Sequence, residues 1–220
     1  DYPGAMRSWN FCPLVVSAVI ASLVLAGCSD AVDEVLPTAT ATGSDSGGAG
    51  QLDVWQPEPG TTWQWQLDEL PVDVSLDVDV YDVDLFETSA SVVDELHADG
   101  RRVICYISVG SREEWREDAA GFAEAVVGSA YEGWEGERWL DVRAIDALAP
   151  VLLARLDLCA AKGFDGVEPD NIDGYTNDTG FDLTYEDQLT FNLWLADAAH
   201  ARGLSIGLKN DSDQVDDLLS

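Results

Sequence analysis

Apolar residues fall along this chain in short runs that switch between two periods. Residues 63–67 read WQWQL, aromatic then polar, after the turn-formers Pro57, Pro59 and Gly60. That period of two predicts a strand. Residues 78–85, VDVYDVDL, alternate again and predict a second. A helix over about 89–98 is closed by Gly100, and a strand over 103–109 follows. After a long excursion, 110–143, a helix over 145–162 ends at Gly163 and leads into a strand at 164–167. Thr184 with Asp187 offers a capping pattern, and Leu189, Leu193 and Ala196 recur at helical spacing. They predict a helix over 184–202, then Gly203 and a strand over 204–208.

Three of these units repeat in kind. HADG (97–100), AAKG (160–163) and HARG (200–203) each end a helix with glycine before an apolar strand. Helix alternating with strand implies parallel strands joined by crossovers. Polar residues gather where the strands end: Asp82 and Asp84, Ser108, Glu168 and Asp170, then Lys209 and Asn210. That placement predicts an α/β fold, the (β/α)8 TIM barrel, whose functional face is that end. A doubly wound sheet would carry a glycine-rich loop after its first strand, and none is present. Residues 51–220 hold about the first five strands, and 214–219 open a further helix. Three more strands would need about 80–100 residues at the usual unit size. Five strands leave two open edges, so this stretch alone is expected to be unstable and inactive.

Charge changes the picture. Lys+Arg total 11 against 42 Asp+Glu, a net −31. Phosphate would be repelled, so nucleic acid is excluded as the natural partner; a cationic or neutral polar substrate is admitted. Solubility or salt tolerance is the plain alternative. With 46% hydrophobic residues and eight Trp, the chain is globular rather than a disordered acidic tail.

Met6 reads as the start of a signal peptide, 6–27. Arg7 is its basic end, and the apolar stretch 14–25 falls short of the roughly 20 residues that span a bilayer. Leu25-Ala26-Gly27-Cys28 looks like a bacterial lipobox, making Cys28 the lipidated first residue of an envelope protein on the outer membrane or cell surface. Residues 28–50, rich in Gly, Ser, Thr and Ala, read as a flexible tether. Cys105 and Cys159 then remain for an oxidising compartment, as a disulfide or as two buried thiols.

The densest chemistry lies at 163–180, GFDGVEPDNIDGYTNDTG. An apolar run ends in Glu168, Pro169, Asp170 and Asn171, with Asp173, Tyr175 and Asn177 close behind. Carboxylates so concentrated at the end of a buried strand suit an enzyme handling a polar substrate. Ile172 interrupts the oxygen alternation that a calcium loop needs. No Cys/His pattern suggests zinc, and Ser108 has no matching His for a triad. His97 and His200 sit in last helical turns, facing the negative end of the dipole.

ICYISVGSREEWR (104–116), EGWEGERWLDVR (132–143), GFDGVEPDNIDGY (163–175), LTYEDQLTFNLWLADAAH (183–200) and GLSIGLKND (203–211), in this order, resemble glycoside hydrolase family 114. These are the endo-α-1,4-polygalactosaminidases. The resemblance covers roughly residues 55–217 and implies a TIM barrel, catalysis without a metal or other cofactor, and cleavage of α-1,4-linked galactosamine in an exopolysaccharide. It implies two catalytic acids. One falls on Asp170; the other, a Glu at the end of a sixth strand, falls beyond Ser220.

The residues agree with that chemistry. Glycoside hydrolysis needs two carboxyls about 5–10 Å apart. Glu168 and Asp170 share a strand face, but parallel side chains flank a bond poorly. Asp170, at the tip, is therefore the expected nucleophile. Glu168, one layer deeper, tunes it, binds an amine, or pairs with Lys209 as an interior charge. Asp82, Asp84, Tyr106, Ser108, Asn171, Asp173, Tyr175, Asn177, Lys209 and Asn210 are candidate substrate contacts. Trp115, Trp134 and Trp139 are either sugar platforms or packing for the excursion. The expected protein is a monomer acting on a cationic, galactosamine-rich polysaccharide. A carbohydrate-binding lipoprotein of the same fold without catalysis is the alternative.

Overall fold

The chain builds a parallel sheet strand by strand, with a small antiparallel sheet inserted after the third. Strands β1 (Trp63–Gln66) and β2 (Val80–Asp84) come first, then helix α1 (Ala90–Ala98) and β3 (Arg102–Ser108). The excursion holds β4 (Ser111–Glu113), β5 (Val127–Ala130) and β6 (Glu137–Leu140). Helix α2 (Ile145–Lys162), β7 (Gly166–Asp170), α3 (Tyr185–His200), β8 (Ser205–Ile206) and the short α4 (Val215–Leu218) complete it. This computed structural model describes residues 54–219 apart from Glu69. The signal peptide, Cys28 and the tether expected at 6–50 lie outside the described residues. The chain divides into two units, Asp1–Ser46 and Gly47–Ser220, and the described residues all belong to the second.

The five-stranded sheet runs β1-β2-β3-β7-β8, every pair parallel. Chain order equals spatial order, so each crossover steps the same way and the helices share one face. Residues of β3 alternate between the faces. Val103, Cys105 and Ile107 are buried with Val93 and Leu96 of α1 and Leu152 and Leu156 of α2. A disulfide joins Cys105 to Cys159 of α2, with their Cα atoms 6.1 Å apart, which resolves the alternatives the spacing left open. The opposite face of β3 carries Tyr106. Sheet pleat alone thus separates core from chemistry.

The expected capping box is present: Asp187 N–H donates to the Thr184 hydroxyl, and the Thr184 N–H donates to Asp187 Oδ2 at 2.9 Å. Gly163 closes α2 in the left-handed region at φ 88°. The structure differs from the sequence expectation in two places. The fifth strand is two residues long, because beyond Ile206 the backbone turns away after one more bond, Gly207 N–H to the Val167 carbonyl. The excursion is a three-stranded sheet, order β4-β6-β5. Its strands, SRE, VGSA and ERWL, do not alternate apolar with polar residues and so show no period.

Two buried arginines pin that insert to the main sheet. Arg155 of α2 is 2% exposed. It donates to both carboxylate oxygens of Asp118 at 2.8 Å and to the Ser108 carbonyl at 2.6 Å. Arg116 grips Asp84 through two nitrogens and Glu113 at 3.0 Å. Removing one partner of such a buried pair costs about 3–5 kcal/mol, because the other charge is left unpaired.

Candidate active site

The helix-free face of the sheet carries a polar cluster at the strands' C-terminal ends. In register, Asp84 pairs with Tyr106 and Tyr106 with Glu168; Ser108 pairs with Asp170. Asp170 is the last residue of β7. The Tyr106 hydroxyl donates to its Oδ2 at 2.7 Å, and the Asn171 N–H donates to Oδ1 at 3.0 Å. Lys209, just beyond β8, donates from Nζ to Glu168 Oε2 at 3.0 Å and lies 3.9 Å from Asp170 Oδ2. The same ammonium sits 4.8 Å from the Trp65 ring centre and 5.0 Å from that of Tyr106. Trp65 Nε1 also donates to Glu168 Oε2, at 3.1 Å. Three strands and the segment after β8 therefore aim two carboxylates, two aromatic rings and one ammonium at a single spot.

Beneath this spot lies Asp82, 3% exposed. Its Oδ1 has no hydrogen-bond partner. Burial raises its carboxyl well above the usual range; the negative charges of Glu168 and Asp170 add to this, and Lys209 opposes it. These influences all favour the protonated form of Asp82 except that of Lys209. Tyr106 is likewise pushed up, first by burial and then by Asp170, and keeps its proton for that carboxylate.

Three candidate contacts are placed elsewhere. Asp84 is 3% exposed, with Arg116 on both oxygens and the N–H groups of Phe86 and Glu87 on Oδ1. Its carboxylate is engaged by the insert and by the following backbone. Ser108 and Asn171 belong to a buried knot. Asn171 Nδ2 donates to Ser108 Oγ at 3.0 Å and to Ser111 Oγ and Glu137 Oε1 at 2.9 Å. The Ser111 hydroxyl also bonds Glu137. Asn171 adopts φ 64°. Gly110 is required beside it, since a Cβ there would lie 1.7 Å from the Asn171 carbonyl oxygen.

The loop after β7 is held by a third network. The Tyr175 hydroxyl donates to Asp211 Oδ1 at 3.0 Å, and Asn192 Nδ2 donates to Oδ2 at 3.1 Å. Gln188 Nε2 donates to Asn192 Oδ1, and its own oxygen accepts from the Gly174 N–H. Asp173 is half-buried above Asp170, and burial raises its carboxyl. Asn177 is exposed and donates to the Asp173 carbonyl at 3.0 Å. Asn210 is exposed, at φ 64°.

Trp65, Glu137 and Asp211 are not among the sequence candidates. Parity offers a signal for Trp65, which alternates with glutamines on the first strand. Glu137 and Asp211 lie inside the family-like motifs, but only folding of the insert and of the last loop brings them here. A depression of about 390 Å³ lies at the other end of the sheet, lined by Val54, Trp55, Arg102, Phe164, Asp165 and Gly203. Arg102, Asp165 and Gly203 precede or begin their strands, so it is remote from Asp170. His97 Nε2 meets Asp165 Oδ2 there at 2.7 Å.

The sequence profile of glycoside-hydrolase family GH114 matches residues 45–220. No match is found among curated proteins. Among solved structures, the Aspergillus fumigatus Ega3 complex with galactosamine is 45% identical, with a TM-score of 0.73 over 75% of this chain and 65% of that one. This chain thus spans just under two thirds of that structure. The glycoside hydrolase domain of PelA from Pseudomonas aeruginosa shares the fold at 18% identity, TM-score 0.53, over 71% of this chain and 62% of that one.

Burial pushes the Asp211 carboxyl up to about 6, although Tyr175 and Asn192 pull it down. An unfolded Asp titrates near about 3.9. Between about pH 4 and 6 the folded state therefore keeps a proton that the unfolded state releases. Stability falls as pH rises through that window, and the loss is complete above it. In Asp211→Asn the amide oxygen can accept from Asn192 Nδ2 while the amide N–H donates to the Tyr175 hydroxyl, reversing that one bond. The substitution should raise Tm at pH 8 by at least about 2–4 °C, the shift that 1 kcal/mol gives a domain of this size, and leave Tm unchanged at pH 3.5. A lower Tm at pH 8 would show that the ionised carboxylate is the stable form.

Proposed function

The chain belongs to glycoside-hydrolase family GH114, and from that premise we propose that it is an endo-acting glycosidase cleaving α-1,4-linked galactosamine. The observation that carries this reading is Asp170. It stands at the tip of β7, oriented by Tyr106 and Asn171, on a face with room for two aromatic rings and an ammonium. Asp170 supplies the carboxylate oxygen that attacks the anomeric carbon as the glycosidic C–O bond breaks. A second carboxyl protonates the leaving oxygen. Tyr106 holds Asp170 in one orientation, and Glu168, held by Trp65 and Lys209, fixes the charge of the floor.

A cationic glycan fits this face for a concrete reason. The Lys209 ammonium already rests against Trp65 and Tyr106 and between Glu168 and Asp170. The amine of galactosamine has the same chemistry, and galactosamine is the sugar in the Ega3 complex. A net charge of −31 draws such a polymer in. We also read the five parallel strands, in consecutive order with helices on one side, as part of a (β/α)8 barrel. Export and lipid attachment at Cys28 rest on the lipobox; the Cys105–Cys159 disulfide supports an oxidising compartment.

Two experiments test these readings. Asp170→Asn in the complete gene product should lower reducing-end release from polygalactosamine by at least about 10²–10⁴-fold, the scale of losing a group that acts on the reacting bond, while the polymer still binds. Retained hydrolysis would remove Asp170 from the reaction. Cys28→Ala should shift the protein from the membrane pellet to the soluble fraction; unaltered pelleting would contradict the anchor.

A further inference from the structure

We propose that Trp115 and Trp134, on the insert, form a second binding platform that holds the cationic glycan outside the cleavage site. The inference rests on the amino-sugar reading above and extends it to the insert that follows β3. Trp115 is 52% and Trp134 55% exposed, whereas Trp139 of the same insert is 4% exposed. Packing of the insert therefore accounts for Trp139 and leaves the other two unexplained.

Both indoles stand on pinned backbone. The Glu114 N–H donates to the Gly136 carbonyl at 2.9 Å, the Trp134 N–H to the Tyr131 carbonyl at 3.3 Å, and the Glu137 N–H to the Trp134 carbonyl at 3.3 Å. Trp115 lies against Gly136, where an added Cβ would stand 3.5 Å from its Cε3. The end of β4 and the turn before β6 are thus tied together, and each brings an exposed indole. Aromatic faces held this way lose little freedom when a sugar ring stacks on them.

The surrounding charge has one sign. Glu114, Glu117, Glu132 and Glu135 are all solvent-accessible acids around the two indoles. The basic residues between 111 and 140 are Arg112, Arg116 and Arg138. They are turned to Glu124, to Asp84 and Glu113, and to the Gly128 carbonyl. Carboxylates beside bare indoles suit an ammonium-bearing sugar, since the ring stacks while the amine pairs. They do not suit a second copy of this chain, which carries the same strong negative charge. Tyr131 links the platform to the cleft. It stacks on Trp139 with ring centres 4.6 Å apart. Burial, together with the charges of Asp170, Asp173 and Glu137, pushes its hydroxyl up to about 12.

The test uses the complete gene product with Trp115→Ala, Trp134→Ala and the double substitution, all at exposed positions that leave Tm unchanged. Probes are long polygalactosamine, its fully N-acetylated form, and a galactosamine trimer. The double variant should bind long polygalactosamine about 10-fold more weakly, the equivalent of about 1.4 kcal/mol, and show a raised KM on it. kcat on the trimer should stay at the wild-type value. Wild-type protein should bind the acetylated polymer more weakly than the free amine, with the difference lost in high salt. Wild-type affinity in the double variant would overturn the platform and leave the catalytic reading standing. Equal binding of acetylated and free polymer would overturn its cation preference. If wild-type protein neither binds nor cleaves polygalactosamine, the substrate reading fails and the platform with it.

Discussion

Lys209 lies between Glu168 and Asp170, Arg116 between Asp84 and Glu113, and Arg155 holds Asp118. In a chain with 11 basic residues and 42 acidic ones, these pairings are the constraint on which the polar face depends. Arg155 and Arg116 fasten the insert to the sheet, and Lys209 closes the face from its far edge. Desolvating a carboxylate costs several kcal/mol unless a cation or donors meet it. Two of these cations therefore lie behind the functional face and the third, Lys209, lies on it, each meeting carboxylates.

That arrangement divides the carboxylates by environment. Asp82 is buried with one oxygen unpartnered, and burial pushes its carboxyl well above the usual range. Asp84 is neutralised by Arg116. Asp170 is half-buried at the strand tip, met by a hydroxyl and a backbone N–H. The pleat of β3 ties this division to the core: Cys105 points back to α2 and bonds Cys159, so Tyr106, the next residue, points forward to Asp170.

Much of this was legible in the sequence. The helix-glycine-strand repeats at 97–100, 160–163 and 200–203 showed parallel strands, and strand parity put Glu168 and Asp170 on one face. Thr184 and Asp187 marked the start of α3 through local chemistry alone. What escaped depended on the insert. SRE, VGSA and ERWL carry no apolar–polar alternation, so β4, β5 and β6 were seen only as an excursion. Asp84 and Ser108 have the parity of site residues and Asn171 follows Asp170 on the loop, yet Arg116, Ser111 and Glu137 reach them from that insert and draw them into buried networks. The meeting of Trp65 with Lys209 is likewise invisible locally, because it joins one edge strand of the sheet to the segment that follows the other.

If the face shared by Trp65, Tyr106, Glu168, Asp170 and Lys209 holds an amino sugar at the reacting position, a crystal of the Asp170→Asn protein soaked with a galactosamine oligomer will show it. The expected result is a sugar ring beside residue 170, with an amine within about 3 Å of a carboxylate of this face. Sugar bound instead in the depression of Trp55, Arg102 and Asp165 at the opposite end of the sheet, with the Asp170 face empty, would contradict it.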